Sequence, residues 1–272
     1  MKRILVPTDF SDTANRARDY AINMAEVLNA EIFLINTYHI PHAGATMVTD
    51  VNALARESAE SDMKEQMEYL EKNYPELDVR SKCFEGLLVD TVKRIINSES
   101  VDLIIMGTTG TSGVVENFLG SNASAMIGSV DVPIITVPSD TVVNFPNKII
   151  VANDLTESGE DALYNSLKEI AGNTNATIDF LFVVDREEMA DTKIARLKSA
   201  KFDESFDANY HPFHFKNSDN AEDGILDYID GKDFDLLVVV CHQRNFWQRI
   251  WERSISKSLV KHAQIPILVL TD

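Results

Sequence analysis

The chain is written twice, and this duplication restricts its fold more than any other feature. Lys2-Arg-Ile-Leu-Val-Pro-Thr-Asp-Phe-Ser11 resembles Lys148-Ile-Ile-Val-Ala-Asn-Asp-Leu-Thr156, matching Asp9 to Asp154 at an offset of 145. Later in each half the offset is 133: Val101-Asp-Leu-Ile-Ile-Met106 matches Phe234-Asp-Leu-Leu-Val-Val239, and Val132-Pro-Ile-Ile-Thr-Val137 matches Ile265-Pro-Ile-Leu-Val-Leu270. The first half therefore carries about 12 extra residues after its second strand. Pro138-Ser-Asp-Thr-Val-Val-Asn-Phe-Pro-Asn147, bounded by prolines, reads as a short linker. It divides the chain into expected domains over residues 1–140 and 146–272, and a length of 272 residues is comfortable for two.

Within the first half, apolar runs alternate with helical patterns. Ile4–Val6 is a short strand ending in Pro-Thr-Asp, and Ser11 or Asp12 can cap the helix that follows. Ala14, Ala17, Ala21, Met24, Ala25 and Leu28 recur at helical spacing. Strands are expected at Ile32–Ile35, Val79–Phe84, Val101–Met106 and Ile134–Val137. Helices are expected over Val51–Tyr74, Leu87–Ile96 and roughly Ser121–Gly128. The acidic run Glu57–Glu71, interleaved with Ala, Met and Leu, reads as a solvated helix face. Apolar strands separated by helices predict an α/β fold with a parallel sheet covered on both faces.

A formal charge of −18 argues against a nucleic-acid groove or docking on an anionic membrane, both of which need clustered Lys and Arg. No window reaches 18 apolar residues, so no membrane span is expected. Cys83 and Cys241 are far apart without CxxC spacing, which fits a reducing cytoplasm.

The chemistry concentrates in Met106-Gly-Thr-Thr-Gly-Thr-Ser-Gly-Val-Val-Glu-Asn-Phe-Leu-Gly-Ser121, directly after an apolar strand. Glycine permits close approach of backbone to a ligand, and a loop entering a helix can aim several N–H groups at one anion. There is no G-x-x-x-x-G-K-[ST] and no G-x-G-x-x-G after the first strand, so neither a P-loop nor a dinucleotide fingerprint is present. On residues alone, a surface loop with glycine caps explains the stretch as well as a phosphate site does.

Gly107-x2-Gly110-x9-Gly120-Ser121 after a strand and before a helix resembles the ATP-binding motif of the universal stress protein family. The likeness covers most of the chain, which resembles a tandem member. It implies two doubly wound domains, each a five-stranded parallel sheet of order 3-2-1-4-5 flanked by helices. It also implies an ATP site formed by Pro7, Thr8, Asp9, Thr37, Met106, Gly107, Gly110, Gly120, Ser121 and Asn122. Asp9 would receive a base or ribose donor and Thr37 would contact the adenine edge. Gly107 and Gly110 would pass the ribose and first phosphates. Gly120, Ser121 and Asn122 would bind the outer phosphates, with Mg²⁺ or Mn²⁺ as an optional bridge. The competing reading of Asp9 is a helix cap.

The second half departs from the pattern. At the positions of Gly107, Gly110 and Gly120 stand Val240, Gln243 and Arg253, so this half is not expected to bind ATP in the family manner. Cys241-His-Gln-Arg-Asn-Phe-Trp-Gln-Arg-Ile-Trp-Glu-Arg253 replaces the loop. Its Trp247 and Trp251 fill a vacated pocket, form a contact surface, or join Arg244, Arg249 and Arg253 in holding another anion. His211 and His214 could share a metal, but no third ligand is evident nearby.

These features point to a nucleotide-binding stress-response or regulatory protein with at most slow ATP hydrolysis, since neither an arginine finger nor a water-positioning base stands near the motif. The alternative is a nucleotide-independent dimerisation scaffold or adaptor. The family resemblance implies that the final strands meet edge to edge, Ile134–Val137 against Ile267–Leu270, and a homodimer or protein partner is expected to dock there or on the Trp247/Trp251 segment.

Overall fold

The computed structural model describes residues 1–38, 48–108, 121–127, 129–152, 164–184, 212–241 and 265–271. Strand β1 (Arg3–Pro7) shows how the layers form. Ile4, Leu5 and Val6 are fully buried, and successive side chains in a strand point to opposite faces. Ile4 and Val6 join a core with Ala17, Ala21 and Met24 of helix α1 (Asp12–Leu28). Leu5 joins a second core with Val92 and Ile95 of α3 (Leu88–Ser98). A strand buried on both sides needs a continuous apolar run, as the sequence provides.

Capping sets the start of α1. Ser11 is its N-cap, the hydroxyl accepting from the Ala14 N–H at 3.2 Å, and Asp12 becomes the first helical residue, an acid at the positive end of the helix dipole. The helix ends at Asn29, whose φ of 49° is the left-handed cap conformation.

The first half continues with β2 (Glu31–Tyr38), α2 (Val48–Asn73), β3 (Val79–Glu85), β4 (Leu103–Gly107), α4 (Ser121–Met126) and β5 (Ile134–Val137). The second contains β6 (Lys148–Ala152), α5 (Asn165–Thr174), β7 (Thr177–Val184), β8 (Phe213–Asn217), α6 (Ala221–Ile229), β9 (Leu236–Cys241) and β10 (Ile267–Thr271). The described strands form one sheet of order β3-β2-β1-β4-β5-β10-β9-β6-β7-β8. Each half follows the expected order 3-2-1-4-5. All pairings are parallel except β5 with β10, which is antiparallel. The extra residues of the first half lie where the spacing placed them, between β2 and β3 (residues 39–78), against the shorter 185–212 between β7 and β8. On α2, Glu57, Glu60, Glu65, Glu68 and Glu71 are exposed while Ala59, Met63 and Leu70 are buried.

The copies share fine detail. Asp102 Oδ2 accepts from the backbone N–H groups of Lys2 and Arg3 at 2.8 and 3.0 Å. Asp235 Oδ2 accepts from those of Asn147 and Lys148 at 2.8 and 2.9 Å. In each half one carboxylate thus pins the entrance of the first strand to that of the fourth.

The halves meet at the final strands, with Ile267, Leu268 and Val269 opposite Thr136, Ile135 and Ile134. The buried Thr136 hydroxyl donates to the Ile267 carbonyl at 3.5 Å. One core runs across this junction, from Tyr20 and Ile135 to Leu167, Ile170 and Leu268. Met1's amino group pairs with Glu169 of α5, and Asn23 donates to the Val143 carbonyl at 3.4 Å. Both edges of β5 and of β10 are paired within the chain. This corrects the expectation of a partner docking on the final strands: their ladder groups are consumed internally, and β3 and β8 are the edges of the sheet. The Trp247/Trp251 segment lies outside the described residues. Among the described residues no helix is long and apolar enough to cross a membrane.

Helix α6 packs directly on β7. A Cβ on Gly224 would stand 2.6 Å from Val183 Cγ1 and 3.0 Å from Ser218 Cβ. Gly224→Ala gains up to about 1 kcal/mol of helix propensity, but overpacking against a stiff β-branched side chain costs about 1–3 kcal/mol. A lower urea midpoint with an unchanged slope is the expected result.

Candidate functional site

The strand order reverses between β1 and β4. The chain crosses from β1 to β2 on one side and reaches β4 on the other. Diverging connections at such a switch point open a crevice at the carboxyl ends of the strands, where ligands bind in open α/β sheets. The residues at that end of β1 form a tightly bonded turn. The Thr8 N–H donates to the Ile35 carbonyl at 2.8 Å, and the Thr8 hydroxyl accepts from the Phe10 N–H at 3.0 Å. Phe10 has a φ of 64°, the left-handed region that non-glycine residues rarely occupy. Asp9 Oδ1 accepts from both the N–H and the hydroxyl of Ser11, at 3.2 and 2.6 Å. Asp9 is therefore not the helix cap. It orients Ser11, which caps.

Continuing the β1–β4 register, in which Ile4 and Leu5 face Leu103 and Ile104, sets Pro7 opposite Met106. Pro7, Thr8, Asp9, Met106 and Gly107 thus share one end of two adjacent strands. Thr37 lies at the same end of β2, two residues past Ile35, the partner of Pro7. It extends β2 beyond the expected Ile32–Ile35 because Thr37 and Tyr38 pair with Phe84 and Glu85. Ser121 opens α4 and Asn122 is exposed, while Ala123 and Met126 of that helix share a core with Met106. Gly110 and Gly120 lie outside the described residues.

Gly107 has a packing reason that its spacing did not disclose. A Cβ there would stand 2.9 Å from Thr13 Cγ2 and 3.1 Å from the Thr13 carbonyl carbon and oxygen. The first turn of α1 lies directly against the end of β4. Sequence reasoning also missed Asn36. It is buried, and its Nδ2 donates to the Thr8 carbonyl at 2.9 Å. The available signal was a lone amide inside the otherwise apolar Ile32-Phe-Leu-Ile-Asn36.

In the second half, Ala152 ends β6, and Asp154, His242 and Arg253 lie outside the described residues. His214 Nε2 bonds Asp179 Oδ2 at 3.1 Å and its ring lies 5.1 Å from that of Tyr228, while His211 lies outside the described residues. Among the described residues no group of three or more His, Cys, Asp or Glu could hold a metal ion.

The sequence model of the universal stress protein family matches residues 1–138 and 213–271. The chain belongs to the universal stress protein family. Universal stress protein MJ0531 of Methanocaldococcus jannaschii is 28% identical over 138 residues, covering 50% of this chain and 81% of the relative. The crystal structure of a universal stress protein from Archaeoglobus fulgidus superimposes with a TM-score of 0.73 at 16% identity, covering 99% of this chain and 98% of that one. Some structures in the family hold nucleotides: one from Arabidopsis thaliana was solved with AMP bound, at 12% identity and a TM-score of 0.37 over 51% of this chain and 92% of that one. Residues 139–212 of this universal stress protein fall outside the sequence match, yet β6 and β7 repeat the pairing of β1 and β2.

Proposed function

We propose that this universal stress protein is a nucleotide-binding regulatory protein that holds ATP in its first half, in the reducing cytoplasm. The observation that carries the reading is the meeting of two features at one switch point. The Asp9 turn leaves β1 beside β4, and β4 runs directly into Gly107-x2-Gly110-x9-Gly120-Ser121 ahead of α4. Main-chain N–H groups of that stretch would take the phosphates, and Ser121 and Asn122 would complete the phosphate end. Asp9 and Thr37 would take the base or ribose, with Mg²⁺ or Mn²⁺ bridging the phosphates when present. The second half would serve as a pairing and support domain, since Val240, Gln243 and Arg253 stand where bare backbone is needed. The domain division at residues 1–140 and 146–272 belongs to this reading. Nucleotide occupancy would act as a signal, with hydrolysis slow at most.

One observation favours the scaffold alternative. Gly107 is required by Thr13 packing whether or not a nucleotide binds. The test is mass spectrometry of nucleotide released from purified protein, beside calorimetric titration with ATP and Mg²⁺. About one nucleotide per chain, or saturable binding at one site, is expected. Protein that purifies empty and gives no heat with ATP would eliminate the proposal.

A further inference from the structure

We infer that Asn36 is a positioning residue for the Asp9 turn, its buried amide fixing the backbone that presents Asp9 to the base or ribose of a nucleotide. The ligand in this inference rests on the proposal above; the positioning of the turn does not. Asn36 lies in β2 with 7% of its surface exposed. A buried amide is costly unless its groups are bonded. Its Nδ2 donates to the Thr8 carbonyl, but its Oδ1 has no hydrogen-bond partner among the described residues. An apolar side chain of similar size would avoid that cost, so the stability of the strand does not account for an amide here.

What the amide does is hold the turn. Left-handed backbone at a non-glycine residue costs on the order of 1 kcal/mol and persists only where the surroundings over-determine it. Phe10 is such a residue, and the bonds that confine it run through Thr8 and Ser11 and through its own carbonyl, which accepts from Asn15 Nδ2 at 3.4 Å. Thr8 is held through its N–H, its hydroxyl and its carbonyl, the last by Asn36. Asn36 is the only one of these partners that reaches the turn with a side chain from a neighbouring strand.

The second half supplies an internal comparison. Pro7 faces Ile35 and Ala152 faces Leu181 in equivalent registers, so the next residue, Asn36, corresponds to Phe182. Phe182 is buried and stacks on Phe213 and Phe215, with ring centroids 6.1 and 5.5 Å away. The site in the fold therefore accepts an apolar side chain. The half that lacks the glycine motif also lacks the amide.

The test uses Asn36→Leu in the full chain, with Asn36→Ser as a second variant too short to reach the Thr8 carbonyl. In the absence of ligand, hydrogen exchange at the Phe10 and Ser11 amides should accelerate roughly tenfold, since one hydrogen bond is lost from the turn. Calorimetry should show ATP affinity falling roughly tenfold while affinity for inorganic tripolyphosphate stays at the wild-type value. A merely structural role would weaken both ligands alike, and that result, or unchanged exchange in both variants, overturns the assignment. Wild-type protein that binds neither ligand would defeat the proposed function, and the exchange measurement would then decide the positioning role alone.

Discussion

Leu268→Ala should lower the stability of the whole chain by about 2–5 kcal/mol, the range for truncating a fully buried leucine. Leu268 has no exposed surface and faces Ile135, equally buried, across the antiparallel junction of the halves. Among the described residues the ladder between β5 and β10 comprises three residue pairs, so a cavity there cannot be absorbed by a long ladder on either side. Both side chains belong to the core that runs from α1 to α5 beneath the sheet. Because that core is shared, wild-type protein should unfold in one transition rather than two. Trp247 and Trp251 are the only tryptophans, and both lie in the second half. Tryptophan fluorescence therefore follows that half, and far-ultraviolet circular dichroism follows the entire chain. The two urea curves should coincide for wild type. In the double variant Ile135→Ala, Leu268→Ala, the losses should deviate from additivity by at least 0.5 kcal/mol, as for residues in contact. Separate fluorescence and dichroism transitions in the wild-type protein would show that the junction does not couple the halves.

The fold was legible because its evidence is local and repeated. Continuous apolar runs such as Leu103-Ile-Ile-Met106 identify doubly buried strands, and a second copy at a fixed spacing supports each reading. The pairing of Ile134–Val137 with Ile267–Leu270 follows from the family resemblance and the tandem arrangement rather than from the apolar runs, and the antiparallel ladder between β5 and β10 bears it out. Strand β8 was harder. Phe213-His-Phe-Lys-Asn217 stands out in the sequence for His214 alone, since an edge strand with half-buried side chains does not show the apolar run of a central one. The site was legible as motif but not as contact. Gly107 meets Thr13, and Asn36 meets Thr8, only because the topology sets β4 beside the start of α1 and β2 beside β1. Neither contact leaves a trace in local spacing. The cap was visible as a choice between Ser11 and Asp12, and geometry alone could decide it, because Asp9 occupies the Ser11 hydroxyl proton and leaves its oxygen to accept from Ala14.

Gly107→Ala and Gly110→Val should fail in opposite ways, which separates a glycine kept for packing from one kept for ligand. In Gly107→Ala the new methyl would meet Thr13 Cγ2 at 2.9 Å and the Thr13 carbonyl group at 3.1 Å. The side-chain contact can be relieved by rotating Thr13. The backbone contact cannot, because Thr13 lies in the first turn of α1, two residues after the Ser11 cap. Relief requires α1 to move from β4, and overpacking of this kind costs about 1–3 kcal/mol. The loss should appear in nucleotide-free protein as a lower melting temperature. Gly110 belongs to the motif by sequence alone, and a valine there is expected to obstruct the approach of backbone to phosphate. Gly110→Val should leave the melting temperature of nucleotide-free protein within about 2 °C of wild type, the result expected of a glycine kept for ligand rather than for packing. It should nevertheless reduce retained nucleotide at least tenfold, equivalent to about 1.4 kcal/mol of binding. Equal stability losses in the two variants, with nucleotide retained by both, would assign the whole glycine stretch to packing and leave the scaffold reading in place.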